Sequence, residues 1–380
     1  MRYDEFTTEM KDFRRRVIKA DDVFELVKEE MEQGRISRDQ LLALVCDDPN
    51  LFSSAVVKQC VDGRLLDRQQ LVDNGIDPNF VEMLGTVPED VLPDVGRIDG
   101  IGENTTEVYL WGIPKSGKTC ALGTILTAAR SVTVTRSFKV NPCQGLLYQM
   151  ILSQIFQREN AYCTLPGRTL VDANFAISTV IEDLKGKDHP VTFIDMAGEL
   201  FCSMLWNDLN MTDQVTDNHK RALQEFEEVL ITRKSNNPKY HFFIIEYCEG
   251  DNKYKRFNQD TYLEHGLRYL ETRGVLNDAN DGLFVLVTKT DLVGRAMDGS
   301  IDGETYLVNF LNEKYPNFFR LLDRCCKDHH LCGGKLPLPI PFDIGEVCFQ
   351  NFCKVKTARA NKIIEILMDP PRAKKRWWRI

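Results

Sequence analysis

The chain lacks an apolar leader. Met1 to Lys19 is dense in charge and has no stretch of the kind that directs export. No apolar run is long enough to cross a bilayer, so no transmembrane segment is expected. The 12 cysteines have no regular spacing, which argues against a disulfide framework; a cytoplasmic chain with reduced thiols is the simplest account. A basic excess is also missing. With 48 Lys and Arg against 56 Asp and Glu, the formal net charge is −8. That disfavours a general nucleic-acid binder and leaves only a local basic patch open. No serine or cysteine nucleophile constellation stands out.

What is present is the composition of a globular protein, 43% hydrophobic and 27% charged over 380 residues, enough for one large domain and a smaller one. Residues 1–86 read as short helices. Asp21 to Glu32 carries Val23, Phe24, Leu26, Val27 and Met31 at helical spacing, Gly34 stops it, and Ser37-Arg38-Asp39-Gln40 offers a capping box for a helix from Leu41 to Cys46. Gly34-Arg35-Ile36 is weakly echoed by Gly63-Arg64-Leu65, which suggests repeated helical hairpins. Such a module could be an adaptor for a protein partner or a cap on the main domain. Residues 87–106, rich in Pro, Gly and Asp, read as a linker. From 107 to 368, apolar strands alternate with helices: Val108 to Trp111, Val191 to Ile194, His241 to Tyr247 and Leu283 to Thr288 are the strand candidates. The expected fold is α/β, a mostly parallel sheet covered by helices, preceded by a small all-α module. Residues 369–380 form a basic, tryptophan-containing tail, which either touches a membrane or nucleic acid or simply packs on the domain.

Three stretches carry chemistry. Gly112-Ile113-Pro114-Lys115-Ser116-Gly117-Lys118-Thr119 fits G-x-x-x-x-G-K-[ST] and sits between a strand and a helix. In that setting the amides of Gly112 and of Lys115 to Cys120 can curl around an anion at a helix N-terminus. Lys118 would reach the β and γ phosphates and Thr119 a Mg²⁺ ion. Second, Val191 to Asp195 is a buried-type strand that ends in an acid, followed by Met196-Ala197-Gly198-Glu199. Asp195 is a candidate Mg²⁺ partner, and Gly198 would let a backbone N–H approach the γ-phosphate. Third, Leu286-Val287 leads into Thr288-Lys289-Thr290-Asp291. A carboxylate at Asp291 can accept two hydrogen bonds from N1–H and the N2 amino group of guanine, a donor pair that adenine does not present. The Lys289 stem can lie along base and sugar.

With these motifs in this order, residues from about 107 to 367 resemble the Ras-like, translation-factor-related (TRAFAC) class of P-loop GTPases, and most closely bacterial members with long insertions. The resemblance implies a GTP-binding protein that hydrolyses GTP to GDP and phosphate with Mg²⁺ and acts as a nucleotide-dependent switch, with a partner bound through residues 1–86 and the switch loops. It implies a switch threonine between the loop and Asp195; Thr169 is the choice, with Thr164 and Thr179 as alternatives. It implies a base-contacting loop near Asp343 and Ile344, where Pro341-Phe342-Asp343-Ile344-Gly345 replaces the common Ser-Ala-Lys. Two departures stand out. Thr288 replaces the usual asparagine, which should weaken the tether between that strand and the phosphate loop. Glu199 stands where Ras-like proteins carry the glutamine that orients water, and its charge should repel the γ-phosphate, so turnover is expected to be slow without a partner. Arg168 is a candidate arginine finger. The rival readings are a P-loop ATPase and a GTP-binding scaffold with little turnover.

Cys325, Cys326, His329, His330 and Cys332 could suggest zinc. Their spacing fits no paired C-x-x-C pattern, and a helix end running into the Gly333-Gly334 turn is the simpler account. Glu246-Tyr247-Cys248-Glu249-Gly250-Asp251, in the insertion between Asp195 and Asp291, reads as a solvated loop or a partner-facing one. If Asp291 selects the base, Asp291→Asn should move preference from guanosine to xanthosine triphosphate in a competition assay against labelled GTP; unchanged selectivity would remove that assignment.

Overall fold

The computed structural model describes residues 5–8, 10, 19–86, 92–131, 133–142, 145–167, 169–233, 235–248, 253–276, 281–293 and 302–369. Arg168, Glu249 to Asp251 and residues 370–380 of the tail lie outside them. In chain order the strands are β1 (Thr106–Trp111), β2 (Thr135–Val140), β3 (Tyr162–Thr164), β4 (Phe175–Asp183), β5 (Asp188–Asp195), β6 (Lys239–Glu246), β7 (Lys253–Tyr254), β8 (Phe257–Asn258), β9 (Gly282–Thr288), β10 (Ile340–Pro341), β11 (Gly345–Cys348) and β12 (Phe352–Val355). Two compact units divide the chain. One comprises Met1–Asp90, Glu159–Gly167 and Gly345–Val355; the other comprises Val91–Arg158, Arg168–Ile344 and Lys356–Ile380.

The larger unit is a mostly parallel sheet in the order β10-β9-β6-β1-β5-β4-β2. Strands β10, β9, β6, β1 and β5 run parallel. Strand β4 is antiparallel to β5, and β2 antiparallel to β4. The parallel strands read as continuous apolar runs because both faces are covered. Alternation sorts their side chains to the two sides. Tyr109, Trp111, Phe243, Ile245, Val285 and Val287 join the core that includes helices Gly198–Asp208 and Gln259–Thr272. Val108, Leu110, Phe242, Ile244, Phe284 and Leu286 join the core that includes helices Lys118–Arg130 and Ala358–Met368. Strand β2 escaped the sequence reading because Thr-Arg-Ser-Phe-Lys-Val is half-exposed and partnered on one edge only. A helix over Asp217–Glu227 continues as a π-turn over Glu228–Thr232.

The smaller unit is not made of N-terminal helices alone. Cys348, Phe349 and Phe352 are buried among Leu41, Val57, Leu71 and Phe80, and β3, β12 and β11 form a three-stranded sheet. Asn50 Nδ2 donates to the Val347 carbonyl at 2.8 Å, and Phe349 N to Pro49 O at 2.7 Å. The capping box forms at Ser37 and Gln40. The helical echo has a register one residue off the one read from sequence. Gly34 pairs with Arg64, both at positive φ (68° and 59°), and Ser37 with Asp67, both N-caps.

At the N-terminal end of β1, the fully buried Glu107 accepts from the Tyr109 hydroxyl (2.7 Å), from Asn237 Nδ2 (2.8 Å) and from Arg233. Burial pushes its carboxyl up, but these donors outweigh it and leave the group below its usual value. Trp111, the last residue of β1 before the glycine loop, donates its Nε1 to His241 Nδ1 of the neighbouring β6 at 3.1 Å. Burial holds His241 neutral, its pKa depressed from 6.5 to about 3. The unfolded chain therefore binds the proton that the folded chain refuses. This contribution to stability is present above pH about 6.5 and is lost as pH falls towards 3, at about 1.4 kcal/mol per pH unit. His241→Gln keeps an acceptor for Trp111 and should flatten the acid limb of stability, measured by urea denaturation between pH 7 and 4, relative to wild type.

Candidate nucleotide site

The loop Gly112–Thr119 leaves β1 and enters the helix Lys118–Arg130. Lys115 (φ 67°) and Gly117 (φ 85°) are both left-handed, and they turn the chain into the helix N-terminus. Lys118 Nζ lies over the loop and donates to the carbonyls of Gly112 (2.8 Å) and Ile113 (3.0 Å). Burial lowers its pKa to about 8, against an opposing pull from Asp195. Ser116 is fully buried, and its hydroxyl has no hydrogen-bond partner among the described residues. Cys120 is half-buried in the first helical turn, and its carbonyl accepts from Thr124.

Thr119, Thr169 and Asp195 converge. Thr119 Oγ1 is 3.0 Å from Thr169 Oγ1 and donates to Asp195 Oδ2 at 3.2 Å. Of the alternatives, Thr179 spends its hydroxyl on the Val191 carbonyl at 2.9 Å. Thr164 pairs with Phe352 in the sheet of the smaller unit. Asp195 is 1% exposed, and its Oδ1 has no hydrogen-bond partner among the described residues. Burial raises its pKa, while the Tyr148 hydroxyl, Lys118 and Thr119 act the other way. Two hydroxyls and one carboxylate with an unsatisfied buried oxygen are hard donors of the kind Mg²⁺ takes. Among the described residues, no group of three or more His, Cys, Asp or Glu is arranged to hold a metal. A cation here would thus rely on this small oxygen set and on phosphate oxygens.

Gly198 begins the helix that follows β5. A Cβ on it would lie 2.3 Å from Pro114 N and 2.5 Å from the Ile113 carbonyl carbon, so glycine is what allows the helix start to rest on the glycine loop. Glu199 does not hang free: its Oε1 accepts from the Tyr254 hydroxyl at 2.6 Å. Tyr254 stacks on Trp206 of the same helix, and Lys255 sits 4.1 Å from the Trp206 ring centroid.

The tether that Thr288 was expected to weaken is made. Thr288 Oγ1 donates to Ser116 O at 2.7 Å and so bolts the end of β9 to the loop. Lys289 is left-handed (φ 60°), and its ammonium pairs with Glu246. Asp291 is exposed in the short turn Thr290–Leu292. Phe342 N bonds Val287 O at 2.7 Å, which carries Asp343 and Ile344 to the end of β9. Asp343 lies 3.6 Å from Arg359, and Ile344 packs on the sheet core.

The cysteine–histidine run packs as two small contacts, Cys326 against Cys332, and Cys325 and His329 against Glu271. Cys325 and Cys326 are fully buried in the helix Pro316–Asp328, Cys332 Sγ faces the Leu283 carbonyl at 3.2 Å, and His329 lies 3.8 Å from Glu271. Sequence reasoning missed Tyr148 and Tyr254. Each is one aromatic in an ordinary element, and nothing in its local pattern marks it.

No protein-family model matches the chain, and no curated protein sequence matches it. Among solved structures it is similar to Roco2 RocCORdC of Methanosarcina barkeri bound to GDP, 12% identical, with 73% of this chain and 54% of that chain covered at a TM-score of 0.30. It is also similar to a septin GTPase domain from Chlamydomonas reinhardtii, 13% identical, with 56% and 61% covered at a TM-score of 0.25. The chain thus spans about half the length of the first and about three-fifths of the second. Such distant likenesses assign no chemistry to any residue here.

If the contact between Gly198 and the loop shapes the phosphate site, Gly198→Ala must displace one of the two. Overpacking of this kind costs about 1–3 kcal/mol. Nucleotide affinity should fall roughly tenfold or more, with the circular dichroism spectrum unchanged, as read by equilibrium dialysis.

Proposed function

We propose that the chain binds GTP with Mg²⁺ and hydrolyses it to GDP and phosphate, as a nucleotide-dependent switch. The observation that carries this reading is the meeting of Thr119, Thr169 and the half-satisfied Asp195 beside a left-handed glycine loop. Lys118 and the amides of Gly112 and Lys115 to Cys120 hold the phosphates. Thr119, Thr169 and Asp195 organise Mg²⁺ directly or through water; when bound, the ion neutralises charge on the β and γ oxygens. The Gly198 amide, placed against Ile113 and Pro114, is available to the γ-phosphate. Asp291 takes the guanine N1–H and N2 amino group, with Lys289 along the base and the amides near Asp343 and Ile344 towards O6. Ordering of the loops at Thr169 and Gly198 by the γ-phosphate, and their release on hydrolysis, would make the switch. A protein partner would read it through residues 1–86 and these loops.

One observation favours a second reading, a GTP-binding scaffold with little turnover. Glu199, the residue best placed in sequence to act on water, is engaged by Tyr254. Phosphate release from GTP, with ATP as competitor, separates the alternatives. Wild type should turn over GTP and resist ATP. Lys118→Ala should lose roughly 100-fold or more, the scale of removing one stabilising charge or donor. Equal, negligible release from both proteins despite tight GTP binding would select the scaffold.

A further inference from the structure

The candidate Mg²⁺ site has a partner that its motifs do not contain. Tyr148, in the helix Gly145–Ile155, is fully buried and donates its hydroxyl to Asp195 Oδ2 at 2.5 Å. Two features fix it there. Its ring stacks on Phe175 with centroids 4.3 Å apart and planes 19° from parallel. Phe175 is the residue directly opposite Asp195 in the β4–β5 ladder. The helix itself is drawn onto β4 at its first residue: a Cβ on Gly145 would lie 1.9 Å from the Ala176 carbonyl oxygen. Ala176 follows Phe175, so the close approach at Gly145 sets the height at which Tyr148 meets the carboxylate one helical turn later. The result is an asymmetric Asp195. Oδ2 is occupied by Tyr148 and Thr119, while Oδ1 is buried with no hydrogen-bond partner among the described residues.

A buried carboxylate oxygen without a donor costs free energy unless something else satisfies it. A freely rotating Asp195 could relieve that cost by turning both oxygens towards local donors. Tyr148 prevents this by holding one oxygen and so dedicating the other. We infer that Tyr148 is a positioning residue for the divalent cation: it fixes the carboxylate plane so that Oδ1 serves Mg²⁺ or its bound water. This rests on the reading of the site as a Mg²⁺–guanine nucleotide site. It adds a requirement that the P-loop and Asp-x-x-Gly motifs do not state. Hydrogen-bond partners of a ligating group generally set its metal affinity by 10–100-fold.

The test is the Mg²⁺ dependence of binding, read with a fluorescent GDP analogue during Mg²⁺ titration, with a parallel series in EDTA. Tyr148→Phe keeps the ring on Phe175 and removes only the hydroxyl. It should raise the Mg²⁺ concentration for half-maximal retention about tenfold or more, leave the affinity in EDTA unchanged, and leave the thermal midpoint of the nucleotide-free protein close to wild type. In an Asp195→Asn background the same change should have no further effect on the Mg²⁺ midpoint. Gly145→Ala, which disturbs the helix start instead of the hydroxyl, should shift the midpoint in the same direction. An unchanged Mg²⁺ midpoint in Tyr148→Phe, with wild type responding to Mg²⁺, would overturn this inference alone; so would an additive effect in the Asp195→Asn background. Wild type that retains no guanine nucleotide at any Mg²⁺ concentration would remove the functional reading and this inference together. If Tyr148→Phe does not fold, the Asp195→Asn and Gly145→Ala midpoints decide: a Gly145→Ala protein with the wild-type midpoint overturns it.

Discussion

Close backbone approach is the constraint on which the larger unit depends. The helix after β5 touches the glycine loop where Gly198 meets Ile113 and Pro114, and the helix Gly145–Ile155 touches β4 where Gly145 meets Ala176. Neither contact tolerates a Cβ. Together they press two helix starts against the sheet at the end where Thr119 and Asp195 lie. The polar atoms of the site follow from this: Tyr148 reaches Asp195 because its helix begins so low on β4, and Gly198 can offer its amide because its helix begins on the loop. A sheet with the same strand order but ordinary helix spacing would leave these groups beyond hydrogen-bond reach.

Much of the sheet and the loop that serves it could be read from the chain. Residues Gly112 to Thr119, Asp195 to Gly198 and Thr288 to Asp291 each place their determinants within a few positions of a strand end, so one pass along the sequence finds them. The rest depended on residues distant in sequence. Tyr148 looks like one more large residue in Gly-Leu-Leu-Tyr-Gln-Met; only the β4–β5 register shows what its hydroxyl meets. Glu199 is legible as a carboxylate after Gly198, but its partner Tyr254 belongs to the short β7–β8 hairpin and follows a stretch that reads as solvated loop. The partner of Thr288 was hidden for a similar reason. A threonine is shorter than an asparagine, yet β9 ends close enough to Ser116 for the hydroxyl to reach.

Polar burial divides the larger unit into two ends with different demands. At the N-terminal end of β1, Glu107 is enclosed by Tyr109, Arg233, Ser235 and Asn237. That network is satisfied and serves stability. At the C-terminal ends, Ser116 Oγ and Asp195 Oδ1 are buried without a hydrogen-bond partner among the described residues. Ligands of parallel sheets sit at this end, where such groups could be satisfied.

The composition of the smaller unit has a consequence for how the protein is made. Its core includes Cys348, Phe349 and Phe352, yet its helices lie in Met1–Asp90. Synthesis runs from the N-terminus, so those helices emerge well before Phe352 and cannot bury Leu41, Val57 and Phe80 in their final surroundings until residue 355 has emerged. By then nearly all of the larger unit's sheet has been made. The smaller unit, though most of its residues precede that sheet in the chain, is thus completed only after it.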